Sequence, residues 1–267
     1  MSVRYSTIAS YLSSEKTNDK VAIMIISCFK NKQLIPFLKK YLYQRINIPF
    51  FFVIGEPNLN CDWFYESDIL YVKASDTYNG LTKKVVKALE CVYGLSNFKG
   101  ILKFDDDVWI KNQNKFLNFI NWLENKSEAD YFGRAFGTEG FMSTWMGRCY
   151  HWGRGEASMI DNKAYKKSNF AKYCGGGEGY YLSRKSIKTV VEYTIQCPDT
   201  IHNEFFIEDK YIGETLYLHK IYPSECTLGQ FGLISDVDIK ALQQQHLQTE
   251  NPHFEIDPNI IYKAIKT

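Results

Sequence analysis

The sequence predicts an α/β fold in which a Rossmann-like, nucleotide-binding sheet carries helices on both faces. Apolar runs of strand length occur at residues 21–28, 50–54 and 100–104, which is typical of strands covered on both sides. Segments with helical periodicity lie between them, at residues 32–44 and 81–93. Strands that alternate with helices in this way form mostly parallel sheets, whose ligands bind at the carboxyl ends of the strands.

The remaining elements follow without an obvious linker. Residues 1–19 form a polar lead-in, and a third strand is predicted at residues 68–72. After the strand at residues 100–104, the pattern predicts a helix at 116–123 and a strand at 130–136. The less regular stretch that follows, to residue 172, mixes glycine, aromatic and basic residues and is expected to cover the site. We therefore predict one domain with two halves over residues 1–267.

Composition excludes several classes of protein. The formal net charge is +2, with both signs mixed along 267 residues, so we expect neither a nucleic-acid nor a membrane surface. The seven cysteines form no CxxC pair, which favours buried thiols in a reducing compartment. No apolar run approaches membrane-spanning length, and the first twenty residues do not resemble a signal peptide. A soluble, cytoplasmic protein is the expectation.

Three adjacent aspartates end the strand at residues 100–104. This acidic cluster consists of Asp105, Asp106 and Asp107, and strand alternation predicts that Asp105 and Asp107 share a side. Like charges beside an apolar strand repel one another and resist desolvation, so such a cluster commonly binds a cation. Oxygen ligands favour Mg²⁺, Ca²⁺ or Mn²⁺, with phosphate or water completing the shell. The alternative is a solvated acidic turn.

Residues 175–179, the glycine loop, contain four glycines in five residues. Gly175, Gly176 and Gly177 are consecutive, and a backbone without Cβ atoms can approach a sugar or a phosphate closely. A tight turn explains the same glycines equally well.

Two acids, Glu208 and Asp209, stand where a helical pattern begins. Acids in a first helical turn often only complement the helix dipole, but a carboxylate held there can also act as a general base. Lys84 lies in the first turns of the helix at residues 81–93, where it either faces a diphosphate or is an exposed lysine.

Taken together, these segments resemble the β-1,3-galactosyltransferase and Fringe family over roughly residues 20–220. The motifs occur in the family's order: Ser27 after strand one, Phe-Val-Ile-Gly at 52–55, Asp68-Ile69-Leu70, Asp76-x-Tyr78, Leu81-Thr82-x-Lys84, Lys103-x-Asp105-Asp106-Asp107, Tyr173-Cys174-Gly175-Gly176-Gly177 and Glu208-Asp209-x-Tyr211-x-Gly213.

The resemblance implies a GT-A fold, with a nucleotide-sugar half at residues 20–135 and an acceptor half at 136–267. It implies a Mn²⁺ or Mg²⁺ ion and a UDP-sugar as donor, with a glycan or glycoconjugate as acceptor. Asp107 would be the chief metal ligand. Asp105 and Asp106 would take the ribose and the second metal-shell position. Asp106 is thus expected to bind the donor, and Asp105 to bind both the donor and the metal.

The resemblance also assigns the remaining roles. Asp76 and Lys84 would lie near the nucleotide, and Gly175, Gly176 and Gly177 would border the donor sugar. Asp209, or failing that Glu208, would remove the proton from the acceptor hydroxyl. Attack on the face opposite the departing diphosphate predicts inversion at the anomeric carbon.

The sequence departs from the family pattern at several points. Where the family commonly has an Arg-rich stretch that includes a tryptophan, residues 29–32 are Phe-Lys-Asn-Lys. Gly80 stands in place of the family's usual asparagine. The late strand lacks the family's histidine ligand; His219, His246 and His253 are more readily explained as structural or exposed. Most relatives also carry an amino-terminal membrane anchor and work in the Golgi, so a Golgi-lumen location is expected only if an anchor has been removed.

The sequence thus favours a metal-dependent, inverting glycosyltransferase. Two alternatives stay open: a non-catalytic carbohydrate-binding protein with the same fold, and a sugar-phosphate nucleotidyltransferase. Retention of Glu208 and Asp209 argues against the first. The absence of glycine from residues 27–32 argues against the second, because that class usually has a Gly-rich loop after its first strand.

Overall fold

The structure is a computed structural model. It describes residues 19–125, 128–136, 171–200 and 207–235, and positions 237, 240, 241, 243 and 244. The lead-in at 1–18, most of the predicted cover at 137–172, His246 and His253 lie outside the described residues.

Twelve strands occur in the described part of the chain, most of them in one sheet. In chain order they are β1 Val21–Ile26, β2 Phe50–Gly55, β3 Trp63–Glu66, β4 Ile69–Val72, β5 Gly100–Asp105, β6 Trp109–Ile110, β7 Tyr131–Gly133, β8 Ala135–Phe136, β9 Tyr173–Cys174, β10 Tyr180–Ser183, β11 Ser224–Glu225 and β12 Leu233–Ile234. The main sheet has the order β11-β7-β10-β5-β1-β2-β4-β3. The pairs β6–β12 and β8–β9 form two small sheets.

Helices cover both faces of the main sheet. The α-helices in the described part are α1 Ile35–Arg45, α2 Leu81–Leu95, α3 Gln113–Asn125, α4 Arg184–Gln196 and α5 Glu208–Leu218. Short 3₁₀ turns occupy Phe29–Leu34, Tyr78–Gly80 and Leu228–Phe231. Apolar residues of α2, α4 and α5 pack on one face, and those of α1 and α3 pack on the other. None of the described helices is long and apolar enough to cross a membrane.

The central strand explains why the sheet needs both layers. All six residues of β1 are buried, and they alternate between the two cores: Ala22 and Met24 face one layer, whereas Ile23 and Ile25 face the other. β1 runs parallel to β2 and β5, and β2 runs parallel to β4. The carboxyl ends of these four strands therefore lie along one edge, and the acidic cluster lies at that edge.

The predicted α/β fold class, a mostly parallel sheet with helices on both faces, is confirmed. The main sheet includes β10 and β11 as well as the strands of the first half, and β10 pairs antiparallel with both β5 and β7. The division into two functional halves at residue 135 stays a prediction.

Several element boundaries differ from the prediction. The exposed edge strand β3 was not predicted, because its sequence Trp-Phe-Tyr-Glu has no alternation of apolar and polar residues. The single strand predicted at residues 130–136 is two strands in different sheets, β7 and β8. The helix predicted from residue 32 begins as a 3₁₀ turn, and its α-helical part starts at Ile35, followed directly by Pro36, a residue well suited to a first helical turn.

Candidate functional site

A buried lysine lies at the centre of the site. Lys103, on β5, is 0% exposed, which is rare for a charged side chain without partners. Its ammonium lies 2.8 Å from Asp105 Oδ1, 2.9 Å from the carbonyl oxygen of Gly176 and 3.6 Å from Glu208 Oε2. Burial lowers the pKa of Lys103, but attraction to Asp105 and Glu208 outweighs burial and leaves the pKa above its usual range. Lys103 thus joins the acidic cluster to the glycine loop and to α5.

Asp209 lies beside the glycine loop, held by backbone groups. The N–H of Gly176 donates to Asp209 Oδ2 at 3.2 Å, and the N–H of Lys210 donates to Asp209 Oδ1 at 2.8 Å. Burial raises the pKa of Asp209, and these donors and the charge of Lys103 offset that rise only in part. The side chain is nevertheless only half-buried. Asp209 is therefore an oriented carboxylate with a raised pKa.

Glu208 is more enclosed than its neighbour. It is 3% exposed, it accepts a hydrogen bond from the hydroxyl of Tyr180, and it lies near the ammonium of Lys103. Burial raises the pKa of Glu208 to about 7, although Lys103 opposes the effect. Glu208 lies under the glycine loop, so it is placed to support the loop and is less exposed than Asp209.

A second group of predicted residues surrounds the end of β1. The ammonium of Lys84 donates to the carbonyl of Ser27 at 2.7 Å and to Asp76 Oδ1 at 3.0 Å. Asp76 also accepts hydrogen bonds from the backbone N–H groups of Gly55 and Phe29. Lys84 is buried, so these contacts join the ends of β1 and β2 to the start of α2. The placement of Asp76 and Lys84 near a nucleotide stays a prediction.

Asp106 links the second group to the acidic cluster. Its Oδ2 accepts hydrogen bonds from Ser27 Oγ at 2.6 Å and from Asn31 Nδ2 at 3.1 Å. Burial raises the pKa of Asp106, and the two hydrogen bonds oppose the rise. Ser27 connects to Lys84 through its carbonyl and to Asp106 through its hydroxyl. The predicted residues on the two sides of the site are therefore connected through the acidic cluster.

Asp107 lies in the turn beyond β5. The strand ends at Asp105, so the alternation that predicted a shared side for Asp105 and Asp107 does not extend to Asp107. The carbonyl of Asp107 accepts a hydrogen bond from the N–H of Val237 at 3.0 Å, which fixes this turn against the segment after β12. Asp105 and Asp107 are both half-buried at the carboxyl end of the sheet.

The donor chemistry of this turn fits a hard divalent cation. Within the described ranges, no three His, Cys, Asp or Glu side chains converge on one point. Mg²⁺-type sites commonly use one or two carboxylates and take their remaining ligands from phosphate and water, which matches Asp105 and Asp107. His219 lies at the far end of α5, about 16 Å along the helix from Glu208, and bonds to the carbonyl of Thr215.

The three predicted glycines occupy different environments. The N–H of Gly175 donates to the carbonyl of Arg134 at 3.0 Å, and Gly176 packs against Glu208. Gly177 is exposed, and a Cβ atom there would meet nothing within 4 Å. Gly176 therefore has no room for a Cβ atom, whereas Gly177 has. The loop also needs glycine at Gly179, whose φ is +91°.

We expect Gly176→Ala to lower the free energy of unfolding by about 1–3 kcal/mol, the usual range for overpacking. A Cβ atom at Gly176 would lie 2.5 Å from Glu208 Oε2, on a side chain that is itself enclosed. The matched control is Gly177→Ala, expected to change stability by less than about 0.5 kcal/mol. Urea unfolding of the two variants tests this, and equal stabilities would contradict the packing of the loop on Glu208.

Glu208 makes stability depend on pH. The carboxyl keeps its proton up to about pH 7 in the folded chain but loses it near the ordinary value of 4.5 when unfolded. Between these values the folded state binds more protons, so its stability falls as pH rises, by about 3 kcal/mol at most. We expect Glu208→Gln to flatten this part of the profile. Urea unfolding at about pH 5 and about pH 8 tests the difference, and parallel profiles for parent and variant would contradict it.

The site also contains residues that had no predicted role. Lys103 and Ser27 belong to the quoted motifs, but nothing in their spacing indicated their contacts. A lysine inside the apolar run of β5 was the available signal for a buried cation. Asn31 and Tyr180 carried no such signal.

Comparison with known families identifies the chain. A family model described as Galactosyltransferase matches residues 37–227, which is well over half of the sequence. The chain belongs to the galactosyltransferase family. The match includes all the predicted site residues, whereas Ser27, Phe29, Asn31 and Val237 lie outside it. Membership makes glycosyl transfer the chain's activity class. No match is found among curated proteins.

Three solved structures are similar to this galactosyltransferase-family chain at low identity. A glycosyltransferase involved in the glycosylation of the major capsid of PBCV-1 is 11% identical, with 86% of this chain and 98% of that chain covered and a TM-score of 0.43. The 2-C-methyl-D-erythritol 4-phosphate cytidylyltransferase of Francisella tularensis is 13% identical, with 86% and 99% covered and a TM-score of 0.39. The enzyme of that name from Thermus thermophilus is 6% identical, with 87% and 100% covered and a TM-score of 0.41. At these TM-scores the similarities do not support a functional assignment, and family membership rests on the family model.

Proposed function

We propose that this protein is a metal-dependent, inverting glycosyltransferase that moves a sugar from a UDP-linked donor to a hydroxyl group of a carbohydrate acceptor. One observation carries the proposal: Lys103 and Gly176 connect the acidic cluster to the carboxylate of Asp209 at the carboxyl edge of the sheet. A cation-binding group and a base thus lie on the two sides of one site. Family membership supplies the reaction class.

Asp209 is the better candidate for the base. Its carboxylate is oriented by two backbone N–H groups, and the residue is only half-buried, which favours access by an acceptor hydroxyl. Glu208 is enclosed and bonded to Tyr180. The elevated pKa of Asp209 favours proton removal, because a general base works best when its pKa approaches the working pH. Asp209 therefore takes the acceptor proton, and Glu208 supports it.

Asp107 and Asp105 are proposed to hold the cation. A bound Mn²⁺ or Mg²⁺ would stabilise the negative charge that develops on the departing diphosphate. Asp106 is held by Ser27 and Asn31, so its part is to fix the turn in which the two ligands lie. Lys84 has a similar supporting role, because its ammonium holds Ser27 and Asp76 in place.

The nucleobase is proposed to bind beside the end of β1. Phe29 is 61% exposed there, and its backbone N–H is fixed by Asp76. The ammonium of Lys32 lies 5.5 Å from the ring of Phe29 and 5.1 Å from that of Tyr71. An exposed ring next to a cation offers a face on which a base can stack. Phe29 and Lys32 would thus serve where relatives have an Arg-rich stretch.

Product stereochemistry tests the mechanism. With Asp209 as base, the acceptor oxygen attacks in one displacement, so an α-linked donor gives a β-linked product. Proton NMR of the isolated product reports the anomeric configuration through its coupling constant. A retained configuration would contradict the assignment of Asp209 as base, because a single displacement inverts the anomeric carbon.

A further inference from the structure

One buried ammonium contacts both sides of the site. Lys103 Nζ binds Asp105 on the side of the acidic cluster and the carbonyl of Gly176 on the side of the base. We propose that Lys103 is a positioning residue that holds Asp209 and Asp105 in one fixed arrangement. It contacts neither reacting sugar nor acceptor hydroxyl in this role and acts through its neighbours.

The connection to Asp209 passes through a single residue. Gly176 accepts the hydrogen bond of Lys103 at its carbonyl and donates its own N–H to Asp209. The packing here is tight, because a Cβ atom on Gly176 would lie 2.5 Å from Glu208 Oε2 and 3.3 Å from Lys103 Nζ. A shift of the ammonium therefore shifts the peptide that orients the base.

The connection to the acidic cluster is direct. Lys103 lies 2.8 Å from Asp105 Oδ1 and supplies one positive charge next to three consecutive carboxylates. This charge reduces the repulsion among them and fixes the orientation of Asp105, whose side chain keeps 32% of its exposure. Removal of the ammonium would leave Asp105 free to rotate and would increase the repulsion within the cluster.

The surroundings of Lys103 fit a rigid support. Tyr180 pairs with Lys103 across β10 and β5, and the ammonium lies 5.5 Å from its ring centroid. The hydroxyl of Tyr180 holds Glu208, which completes the enclosure of the ammonium. A second buried lysine of the site, Lys84, contacts Ser27 and Asp76 instead. The two lysines therefore fix different parts of the site.

Amide hydrogen exchange tests the positional claim without substrate or metal. In Lys103→Met we expect the Gly176 amide to exchange about tenfold faster or more, because its loop loses the contact that holds it, while amides of α3 keep their parent rates. Lys188→Met, at an exposed lysine of α4, is the matched control and should leave the Gly176 rate unchanged. A folded Lys103→Met protein with the parent rate at Gly176 would overturn the proposal.

A second variant covers the case in which Lys103→Met does not fold. Lys103→Met with Glu208→Gln also removes the ionisable carboxyl of Glu208, so no unpaired carboxylate is left there. Faster exchange at Gly176 is again the expected result. The parent rate in this variant would overturn the proposal as well.

The kinetic consequence rests on the proposed function. We expect Lys103→Met to lower kcat about tenfold or more and to weaken UDP binding, since both sides of the site are disturbed. Added to Asp209→Asn, it should lower kcat by less than it does in the parent, because its action through the base is already lost and only its action through Asp105 remains. Full additivity in kcat would contradict action through Asp209. An inactive parent that binds no UDP would instead refute the proposed function and leave the exchange result standing.

Discussion

Asp209→Asn is expected to lower kcat for sugar transfer by about 10²–10⁴, the usual contribution of a general base, with little change in donor affinity. The amide keeps the size of the side chain but cannot take the acceptor proton. Its oxygen can still accept the N–H of Gly176 or of Lys210, so the loop should stay in place. Steady-state kinetics with saturating acceptor, together with calorimetry of UDP binding, separate the two effects.

The control for this variant is Asp19→Asn. Asp19 is exposed and precedes β1, at the end of the sheet opposite the acidic cluster. It should behave like the parent. Near-parent turnover of Asp209→Asn would transfer the role of base to Glu208 or to another group, whereas loss of donor binding in this variant would indicate that Asp209 holds the donor.

Asp107→Ala is expected to weaken Mn²⁺-dependent binding of UDP by more than about a hundredfold, because even the outer partners of metal ligands commonly contribute 10–100-fold. The substitution removes a carboxylate from a turn that the Val237 N–H holds through the backbone, and that hydrogen bond is kept in alanine. The fold should therefore survive. Calorimetric titration with UDP, in Mn²⁺ and in EDTA, measures the change.

Two comparisons make the result for Asp107 specific. Asp19→Ala should leave metal-dependent binding unchanged, because that residue lies at the opposite end of the sheet. Unfolding in urea should give similar free energies for Asp107→Ala and the parent. Undiminished Mn²⁺-dependent binding in Asp107→Ala would show that the cation is held elsewhere.

The sequence predicted the elements that depend on local pattern. β1, β2 and β5 are continuous apolar runs, and the acids of residues 105–107 and 208–209 stand where such a run ends or a helix begins. Parallel strands bring their carboxyl ends to one edge, so the place of the acidic cluster followed from the element order. The edge strand β3 escaped prediction because both of its faces lack a consistent pattern.

The contacts of Lys103 and Lys84 could not be predicted. Lys103 bonds to a carbonyl 73 residues away, and Lys84 bonds to one 57 residues away. A buried ammonium needs hydrogen-bond partners, and these two find theirs far away in the sequence. Neither hydrophobic periodicity nor motif spacing indicates such distant partners. The sequence left open whether Lys84 faces a diphosphate or is exposed. The structure buries the side chain, with its ammonium on Ser27 and Asp76.

Release of UDP from a panel of UDP-sugars, in Mn²⁺ and in EDTA, tests the central claim most directly. Without acceptor, water can replace the acceptor hydroxyl, so a donor bound at the acidic cluster should be hydrolysed slowly. We predict metal-dependent release from at least one donor, which EDTA abolishes, and this result also identifies the sugar. No release from any donor, together with no UDP binding by calorimetry in Mn²⁺, would contradict the account.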